Sequence, residues 1–202
     1  MKNITTVILA AGRSTRFLSS KSKLTQELAG LPIISHVHNT AKTISGKNIV
    51  VVCNKNNHSE LKNILTNCEF VIQKFPKGTA DAIEVAKSSI KTKNFIILFG
   101  DVPLITGKAL KKLINSFKKN NIASMILFKS LKPKGYGRII LKNKKIKNVV
   151  EEIEATNSEK LIELCNSGIM MVNKDIFFKK IKLIKKNKRK KEKFLTDIFN
   201  IY

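Results

Sequence analysis

The sequence has little that would support a disulfide framework, a metal knuckle or a membrane span. Its three cysteines, Cys53, Cys68 and Cys165, are far apart, and each lies beside apolar residues. Disulfide-rich and zinc-binding chains instead carry closely spaced cysteines, so we expect three buried thiols. No stretch approaches the roughly 18 consecutive apolar residues of a membrane-spanning helix, and the N-terminus lacks a signal-peptide cleavage pattern. These absences predict a cytoplasmic protein without a membrane partner.

Acidic residues are also scarce, since 14 Asp and Glu stand against 39 Lys and Arg, for a formal net charge of +25. A basic surface can bind a polyanion. The lysines are nevertheless spread over almost every segment together with many Asn and Ile, a pattern that A- and T-rich codons also produce. We therefore favour codon bias over nucleic-acid binding. The dense run 179–193 is the exception, because its like charges predict a solvated, frayed or mobile segment.

The first 120 residues alternate between two kinds of periodicity. The chain has 202 residues, of which 43% are hydrophobic, enough for one domain with a well-buried core. Four apolar runs typical of buried strands end at residues 10, 53, 73 and 99. The segments 32–44, 56–65 and 79–90 have helical periodicity, and Thr106 is a plausible cap for a fourth helix. This alternation predicts an α/β fold with a Rossmann-like, doubly wound, mostly parallel sheet.

After residue 121 the pattern changes to successive strands with short connections. Strands are predicted within 122–128, 137–143 and 145–154, the last two joined near Asn143. A helix near 158–164, a strand at 167–172 and a helix from Lys174 follow. We therefore expect an antiparallel extension of the sheet. No repeat or linker divides the chain, which predicts a single domain, 1–202, with halves at about 1–121 and 122–202.

The first candidate site is LAAGRSTRF, residues 9–17, which follows the first predicted strand. Ala10, Ala11 and Gly12 would let backbone N–H groups approach a phosphate or a base, and Arg13 and Arg16 add positive charge. The segment is neither a Walker A loop nor the three-glycine dinucleotide fingerprint. Taken alone, it is equally compatible with an ordinary strand-to-helix turn.

The second candidate site is FGDVPL, residues 99–104, at the end of another buried strand. Asp101 could project into the same crevice as the first segment and bind Mg²⁺, which prefers oxygen ligands. An Asx turn before Pro103 is the alternative interpretation. Two phosphate-compatible strand ends in one sheet favour the functional interpretation, and the hypothesis requires these two ends to converge.

Two further sets of segments could contact a base and a sugar. In QKFPKGTADA, residues 73–82, Gln73 ends a strand and Gly78 and Thr79 open a helix, so an amide and free N–H groups are available. The segments GYGRI, VEEIEAT and CNSGIM, at 135–139, 150–156 and 165–170, offer polar groups and glycines suited to sugar hydroxyls. Each of these segments alone also fits a turn, a cap or a strand end.

Together the segments resemble the sugar-nucleotide pyrophosphorylases, above all the UDP-N-acetylglucosamine pyrophosphorylases. The first is similar to their Leu-Ala-Ala-Gly-x-Gly-Thr-Arg-Met loop and its later lysine, Lys23, with Ser14, Phe17 and Ser22 in place of Gly, Met and Pro. A positive φ at Ser14 would be sterically costly. The second is similar to Tyr-Gly-Asp-x-Pro-Leu, and KFLTDI, residues 193–198, resembles Tyr-Leu-Thr-Asp. The resemblance covers nearly the whole chain.

The resemblance implies a nucleotide-diphospho-sugar transferase fold and an activity. UTP and N-acetylglucosamine 1-phosphate, a sugar 1-phosphate, would give UDP-N-acetylglucosamine and pyrophosphate. Arg16, Lys23 and Asp101 would be catalytic, with Asp101 binding Mg²⁺. Residues implied in nucleotide binding are Leu9, Ala10, Ala11, Gly12, Gln73, Gly78 and Thr79. Residues implied in sugar binding are Gly137, Glu151 and Asn166, so residues 1–121 would bind nucleotide and 122–202 the acceptor.

Two features of the family have no counterpart in the 202 residues. A second metal ligand lies beyond the family's Thr-Asp segment, and bifunctional members carry an acetyltransferase half. Water or another side chain would supply that ligand, or the chain is a fragment, or activity is weak. The alternatives are therefore another phosphorylated acceptor, such as phosphocholine, with UTP or CTP, and a catalytically weak nucleotide-binding homologue. A basic nucleic-acid binder is the alternative from a different class.

Overall fold

A computed structural model describes residues 3–12, 22–75, 78–120, 122–184 and 195–200. Its strands are β1 (Ile4–Leu9), β2 (Glu27–Leu28), β3 (Leu31–Pro32), β4 (Ile49–Cys53), β5 (Glu69–Ile72), β6 (Asn94–Phe99), β7 (Ala123–Lys129), β8 (Arg138–Lys142), β9 (Lys145–Val150) and β10 (Leu164–Asn173). Its α-helices are α1 (Ile33–Ser45), α2 (His58–Ile64), α3 (Thr79–Val85), α4 (Gly107–Asn120), α5 (Asn157–Lys160) and α6 (Lys174–Lys180). Short 3-10 helices cover Lys23–Thr25, Ile181–Leu183 and Leu195–Asn200.

Four parallel strands form one half of the main sheet, in the order β5-β4-β1-β6. β1 and β4 are buried along their whole length. Helices α1, α2 and α4 pack on one face of these strands, and helices α3 and α6 pack on the other face. Sequences rich in Ile, Val and Leu suit strands that are covered on both faces. The predicted doubly wound arrangement is confirmed.

The second half of the sheet is the predicted antiparallel extension. β10 pairs antiparallel with β6 through residues 170–173 and with β7 along its other edge, while β8 and β9 continue the sheet. β8 and β9 are joined at Asn143 and Lys144, which both have positive φ, as a tight hairpin requires. The two predicted halves therefore share one continuous sheet.

Several predicted elements are shorter in the structure. The helix predicted over 79–90 ends at Val85, and the strand predicted to 154 ends at Val150. Ala86 and Ile90 remain buried in turns, so their helical spacing reflects packing rather than helix. The helix predicted over 158–164 was wrong beyond Lys160, because the chain enters β10 at Leu164. The hairpin β2–β3, with two residues in each strand, was not predicted.

The structure also bears on the three cysteines, the basic run 179–193 and membrane-spanning helices. Cys53 and Cys165 are buried, and Cys68 is half-buried. Burial raises the pKa of the Cys53 and Cys68 thiols to about 11, which suits unreactive thiols. Of the basic run, residues 179–183 are helical with Ile181 fully buried, Lys179 and Lys182 are exposed as a solvated segment would be, and 185–193 lie outside the described residues. In the described part of the chain, none of the helices has the length and apolarity to cross a membrane.

Candidate functional site

The carboxyl ends of the parallel strands bring the first two motifs together. β1 and β6 pair up to Leu9 and Phe99, and the Gly100 N–H donates to the Leu9 carbonyl at 2.9 Å. A Cβ at Gly100 would lie 3.2 Å from both that carbonyl oxygen and the side chain of Ile34. Glycine therefore allows the two chains to leave the sheet side by side. The predicted convergence of these strand ends is confirmed.

Lys23 and Asp101 meet at this edge although 78 residues separate them. The Lys23 Nζ lies 3.0 Å from Asp101 Oδ2, and the two side chains are 40% and 44% exposed. Lys23 opens a 3-10 helix that Ser22 caps, and buried Leu24 anchors that helix in the core. An ion pair this exposed contributes little to stability. Both charges are therefore positioned at an open edge, where a polyphosphate could reach them.

Asp101 has the properties of a single-carboxylate magnesium ligand. Its oxygens are hard donors at an accessible strand end, and Mg²⁺ is commonly held by one or two carboxylates together with substrate phosphates. Among the described residues, no group of three or more His, Cys, Asp or Glu side chains could hold a metal ion. A single accessible carboxylate is a donor that a metal carried by nucleotide phosphates could use. Arg16, the other predicted cation, lies outside the described residues.

The small residues that follow β1 are held by two side chains that sequence reasoning missed. Asn57 Nδ2 donates to the Ala10 carbonyl at 2.8 Å, and Asn54 Nδ2 donates to the Ala11 carbonyl at 3.1 Å. Ala10 and Ala11 are buried, whereas Gly12 is exposed, and a Cβ added to it would have nothing within 4 Å. The signal in the sequence was an Asn-rich turn directly after the neighbouring strand.

The described residues of the predicted base-binding segment, 73–75 and 78–82, lie at the same edge of the sheet, and residues 76–77 lie outside the described part of the chain. Gln73 follows β5 directly, is 5% exposed, and donates from Nε2 to Asp81 Oδ2 at 2.7 Å. Gly78, at φ 107°, precedes α3, which begins at Thr79. The Gln73 amide N–H is therefore already bonded within the protein. A role for these residues in base recognition stays a prediction.

The three predicted sugar-binding residues, drawn from three segments, form one cluster. A Cβ at Gly137 would lie 3.4 Å from either carboxylate oxygen of Glu151 and 3.5 Å from Asn166 Nδ2. The Asn166 N–H donates to the Gly137 carbonyl at 2.9 Å, and Asn166 Oδ1 accepts from the Gly168 N–H. The absence of a side chain at Gly137 thus leaves space beside a carboxylate and an amide. Such a group of donors and acceptors can bind sugar hydroxyls.

The Thr-Asp segment, residues 196–197, closes one side of this cluster. Thr196 Oγ1 donates to Glu151 Oε1 at 2.7 Å, and the Leu195 N–H donates to Thr79 Oγ1 at 3.2 Å. Burial, followed by the nearby carboxylates of Glu154 and Glu151, raises the pKa of Asp197 to about 6. The C-terminal segment therefore contacts both halves of the sheet.

An ion pair between a buried arginine and a partly exposed glutamate supports the loop that carries Gly137. Arg138 is 1% exposed, and its guanidinium lies 2.7 Å from Glu152 Oε2 and donates to the carbonyls of Tyr136 and Lys160. Glu152 Oε2 also accepts from the Gly135 N–H. That hydrogen bond, and then the one from Arg138, lower the pKa of Glu152. Removing Glu152 would leave the buried Arg138 charge without its partner, so this carboxylate stabilises the loop.

Replacing Asp197 with asparagine should stabilise the protein above pH 6. Its pKa in the folded state, about 6, exceeds the ordinary value of 3.8, so the folded state binds more protons than the unfolded state between these values. Stability therefore falls as pH rises through that window. After allowance for solvent screening, we expect Asp197→Asn to raise the free energy of unfolding at pH 8 by about 1–2 kcal/mol.

Urea unfolding of the wild type and the variant at several pH values would measure this effect. The gain should shrink below pH 6 and vanish near pH 4, where Asp197 is largely protonated in the folded state and increasingly so in the unfolded state. A variant less stable than the wild type at pH 8 would show that the ionised carboxylate is instead stabilising.

Comparisons with known proteins place this arrangement in a family. Residues 6–160 match the MobA-like NTP transferase domain. The chain is 38% identical over 200 residues to the bifunctional protein GlmU of Buchnera aphidicola subsp. Schizaphis graminum, covering 98% of this chain and 43% of that protein. It is 33% identical over 208 residues to GlmU of Campylobacter fetus, covering 100% and 46%. The chain thus spans less than half the length of these relatives.

Two solved structures share the fold. A UDP-glucose pyrophosphorylase complexed with UDP-glucose has a TM-score of 0.78 at 19% identity, covering 100% of this chain and 86% of that chain. A putative glucose-1-phosphate thymidylyltransferase from Bacillus anthracis, in complex with sucrose, has a TM-score of 0.82 at 19% identity, covering 96% and 80%. The fold agrees with the domain match, and the chain therefore belongs to the MobA-like NTP transferase domain family, a family of nucleotidyltransferases.

Proposed function

We propose that this protein is a Mg²⁺-dependent sugar-1-phosphate uridylyltransferase that forms UDP-N-acetylglucosamine and pyrophosphate from UTP and N-acetylglucosamine 1-phosphate. The observation that carries the proposal is the placement of Lys23 and Asp101 3.0 Å apart beside the Ala10–Gly12 backbone. A cation and a carboxylate beside a strand end of small residues suit a metal-bound polyphosphate. The similarity to GlmU supports a sugar-nucleotide product.

The chemistry would be in-line displacement at the α-phosphorus of UTP. An oxygen of the sugar 1-phosphate forms the new P–O bond as the bond to pyrophosphate breaks, and no covalent enzyme intermediate is needed. Lys23 and Arg16 would hold the phosphates and neutralise developing charge. Asp101 would hold Mg²⁺, which supplies further charge neutralisation when bound. Most of the rate acceleration would come from positioning the reactants and stabilising charge.

The acceptor would bind at the Gly137–Glu151–Asn166 cluster. Thr196 occupies one oxygen of Glu151, which fixes the orientation of that carboxylate. Asn166 Nδ2 lies beside the open space at Gly137 and could donate to a sugar hydroxyl or an acetamido carbonyl. These three residues present hydrogen-bonding groups, which suit the hydroxyls of a sugar ring.

A pyrophosphate-release assay with a panel of substrates tests the proposal. UTP, CTP and TTP would each be combined with N-acetylglucosamine 1-phosphate, glucose 1-phosphate or phosphocholine, with and without Mg²⁺. We expect the highest kcat/KM for UTP with N-acetylglucosamine 1-phosphate and no turnover without divalent metal. Exclusive use of CTP or phosphocholine would replace the proposed substrates. Absence of turnover with every pair, while UTP still binds, would favour a catalytically weak nucleotide-binding protein.

A further inference from the structure

The turn between β4 and α2 contacts the backbone of residues 10–12 through two asparagine side chains. Asn57 is 6% exposed and Asn54 is half-buried. Their Nδ2 atoms donate to the carbonyls of Ala10 and Ala11, at 2.8 and 3.1 Å. Two successive carbonyls that follow β1 are thus bonded to side chains instead of to a neighbouring strand.

The other end of each amide is bonded as well. Asn54 Oδ1 accepts from the N–H groups of Asn56 and Asn57, and Asn57 Oδ1 accepts from the Asn54 N–H. Each side chain therefore uses its acceptor for its own turn and its donor for the segment after β1. Only an amide offers both functions with this shape, since a carboxylate has no donor and a hydroxyl is shorter.

These bonds determine where the next N–H groups point. No described peptide bond is cis, and in a trans peptide the N–H is directed opposite to the preceding carbonyl. The Ala10 and Ala11 carbonyls face the turn that follows β4. The N–H groups of Ala11 and Gly12 are therefore directed away from β4. Because β1 lies between β4 and β6, that direction is the β6 side, where Gly100 and Asp101 leave the sheet.

We infer that Asn54 and Asn57 are positioning residues that aim the Ala11 and Gly12 N–H groups at the nucleotide. The inference rests on the proposed function, because it assigns these N–H groups to a nucleoside triphosphate. Neither asparagine touches the nucleotide in this account. Both act through the backbone, so their loss should impair nucleotide binding while the sugar phosphate binds as before. Preorganised N–H donors bind anions without having to reorganise on binding.

The test replaces each asparagine with aspartate, which keeps the shape and the acceptor but removes the donor. A carboxylate oxygen would then face the Ala10 or Ala11 carbonyl oxygen and repel it. Asn54→Asp and Asn57→Asp should each raise the Kd for UTP about tenfold, the effect of losing one well-placed hydrogen bond. In turnover, the KM for UTP should rise and the KM for the sugar phosphate should stay within about twofold. If buried Asn57→Asp fails to fold, half-buried Asn54→Asp carries the test alone.

Asn56→Asp is the matched control, since it adds the same charge in the same turn. The Asn56 side chain is exposed and, within the described ranges, makes no hydrogen bond to residues 10–12. It should bind UTP as the wild type does. Equal weakening in all three variants would mean that charge alone is responsible and would overturn the inference, as would wild-type UTP affinity in Asn54→Asp and Asn57→Asp.

A measurement without nucleotide separates this inference from the proposed function. Backbone ¹⁵N order parameters of Ala11 and Gly12 in the free protein should fall in Asn54→Asp and Asn57→Asp and be unchanged in Asn56→Asp. If the wild type bound no UTP, the proposed function would fail. The order parameters would still test the positioning role, and unchanged values would overturn it.

Discussion

Asp101→Asn should lower the rate of pyrophosphate release on the order of 10³-fold without destabilising the fold. The change keeps the size of the side chain but removes the charge that would hold the metal, and the loss of several kcal/mol of transition-state stabilisation corresponds to such a factor. The Lys23–Asp101 ion pair is about half exposed, so its loss should change stability by less than about 1 kcal/mol. The substitution should therefore lower the rate of pyrophosphate release while leaving the free energy of unfolding nearly unchanged.

Asp175→Asn is the matched control for this prediction. Asp175 is an exposed residue in the first turn of α6, which follows β10 at Asn173, opposite the amino end of β6 at Asn94. The same chemical change is thus made at the other edge of the sheet. Steady-state kinetics should show wild-type turnover for Asp175→Asn. Equal turnover for Asp101→Asn and the wild type would remove Asp101 from the mechanism.

Gly168→Ala should strongly destabilise the fold. Gly168 has φ +74°, and an added Cβ would lie 2.4 Å from Cε2 of Phe99. The left-handed backbone costs roughly 1–2 kcal/mol for alanine, and overpacking adds roughly 1–3 kcal/mol. We expect a loss of about 3 kcal/mol in the free energy of unfolding, or about 6–12 °C in Tm for a chain of this length.

Gly30→Ala separates the two contributions. Gly30 has φ +77°, nearly the same backbone conformation, but nothing lies within 4 Å of its added Cβ. Its Tm should fall by about 2–8 °C, less than that of Gly168→Ala. Similar Tm values for both variants would show that Phe99 moves aside easily. Phe99 directly precedes Gly100 and Asp101, so we also expect Gly168→Ala to impair turnover at temperatures where it remains folded.

The arrangement of the parallel strands could be predicted because strands that are buried on both faces have mostly apolar sequences. β1, β4 and β6 are mostly apolar, and helical segments separate them, which leaves few alternatives to a doubly wound sheet. Once that sheet is assumed, polar residues after β1 and β6 must meet at one edge. The sheet topology therefore predicted that Asp101 lies near the first motif. The position of Lys23 beside Asp101 is consistent with the family resemblance.

The details that set the site's geometry depend on contacts between distant residues. Thr196 bonds to Glu151 across 45 residues, and Gly168 packs on Phe99 at a bulge in β10. Neither contact leaves a periodic pattern in the sequence. Asn54 and Asn57 look like ordinary turn residues, because turns favour asparagine whatever its side chain contacts. Only their hydrogen bonds to the neighbouring segment distinguish them.

If the proposed function is right, Asp101 and Lys23 share one metal-bound polyphosphate at the converged ends of β1 and β6. A crystal structure with UTP and Mn²⁺, with the metal located by anomalous scattering, tests it most directly. We expect the metal at the Asp101 carboxylate and the triphosphate at Lys23, beside the N–H groups of Ala11 and Gly12. A triphosphate bound elsewhere, with Asp101 still paired only to Lys23, would contradict the claim.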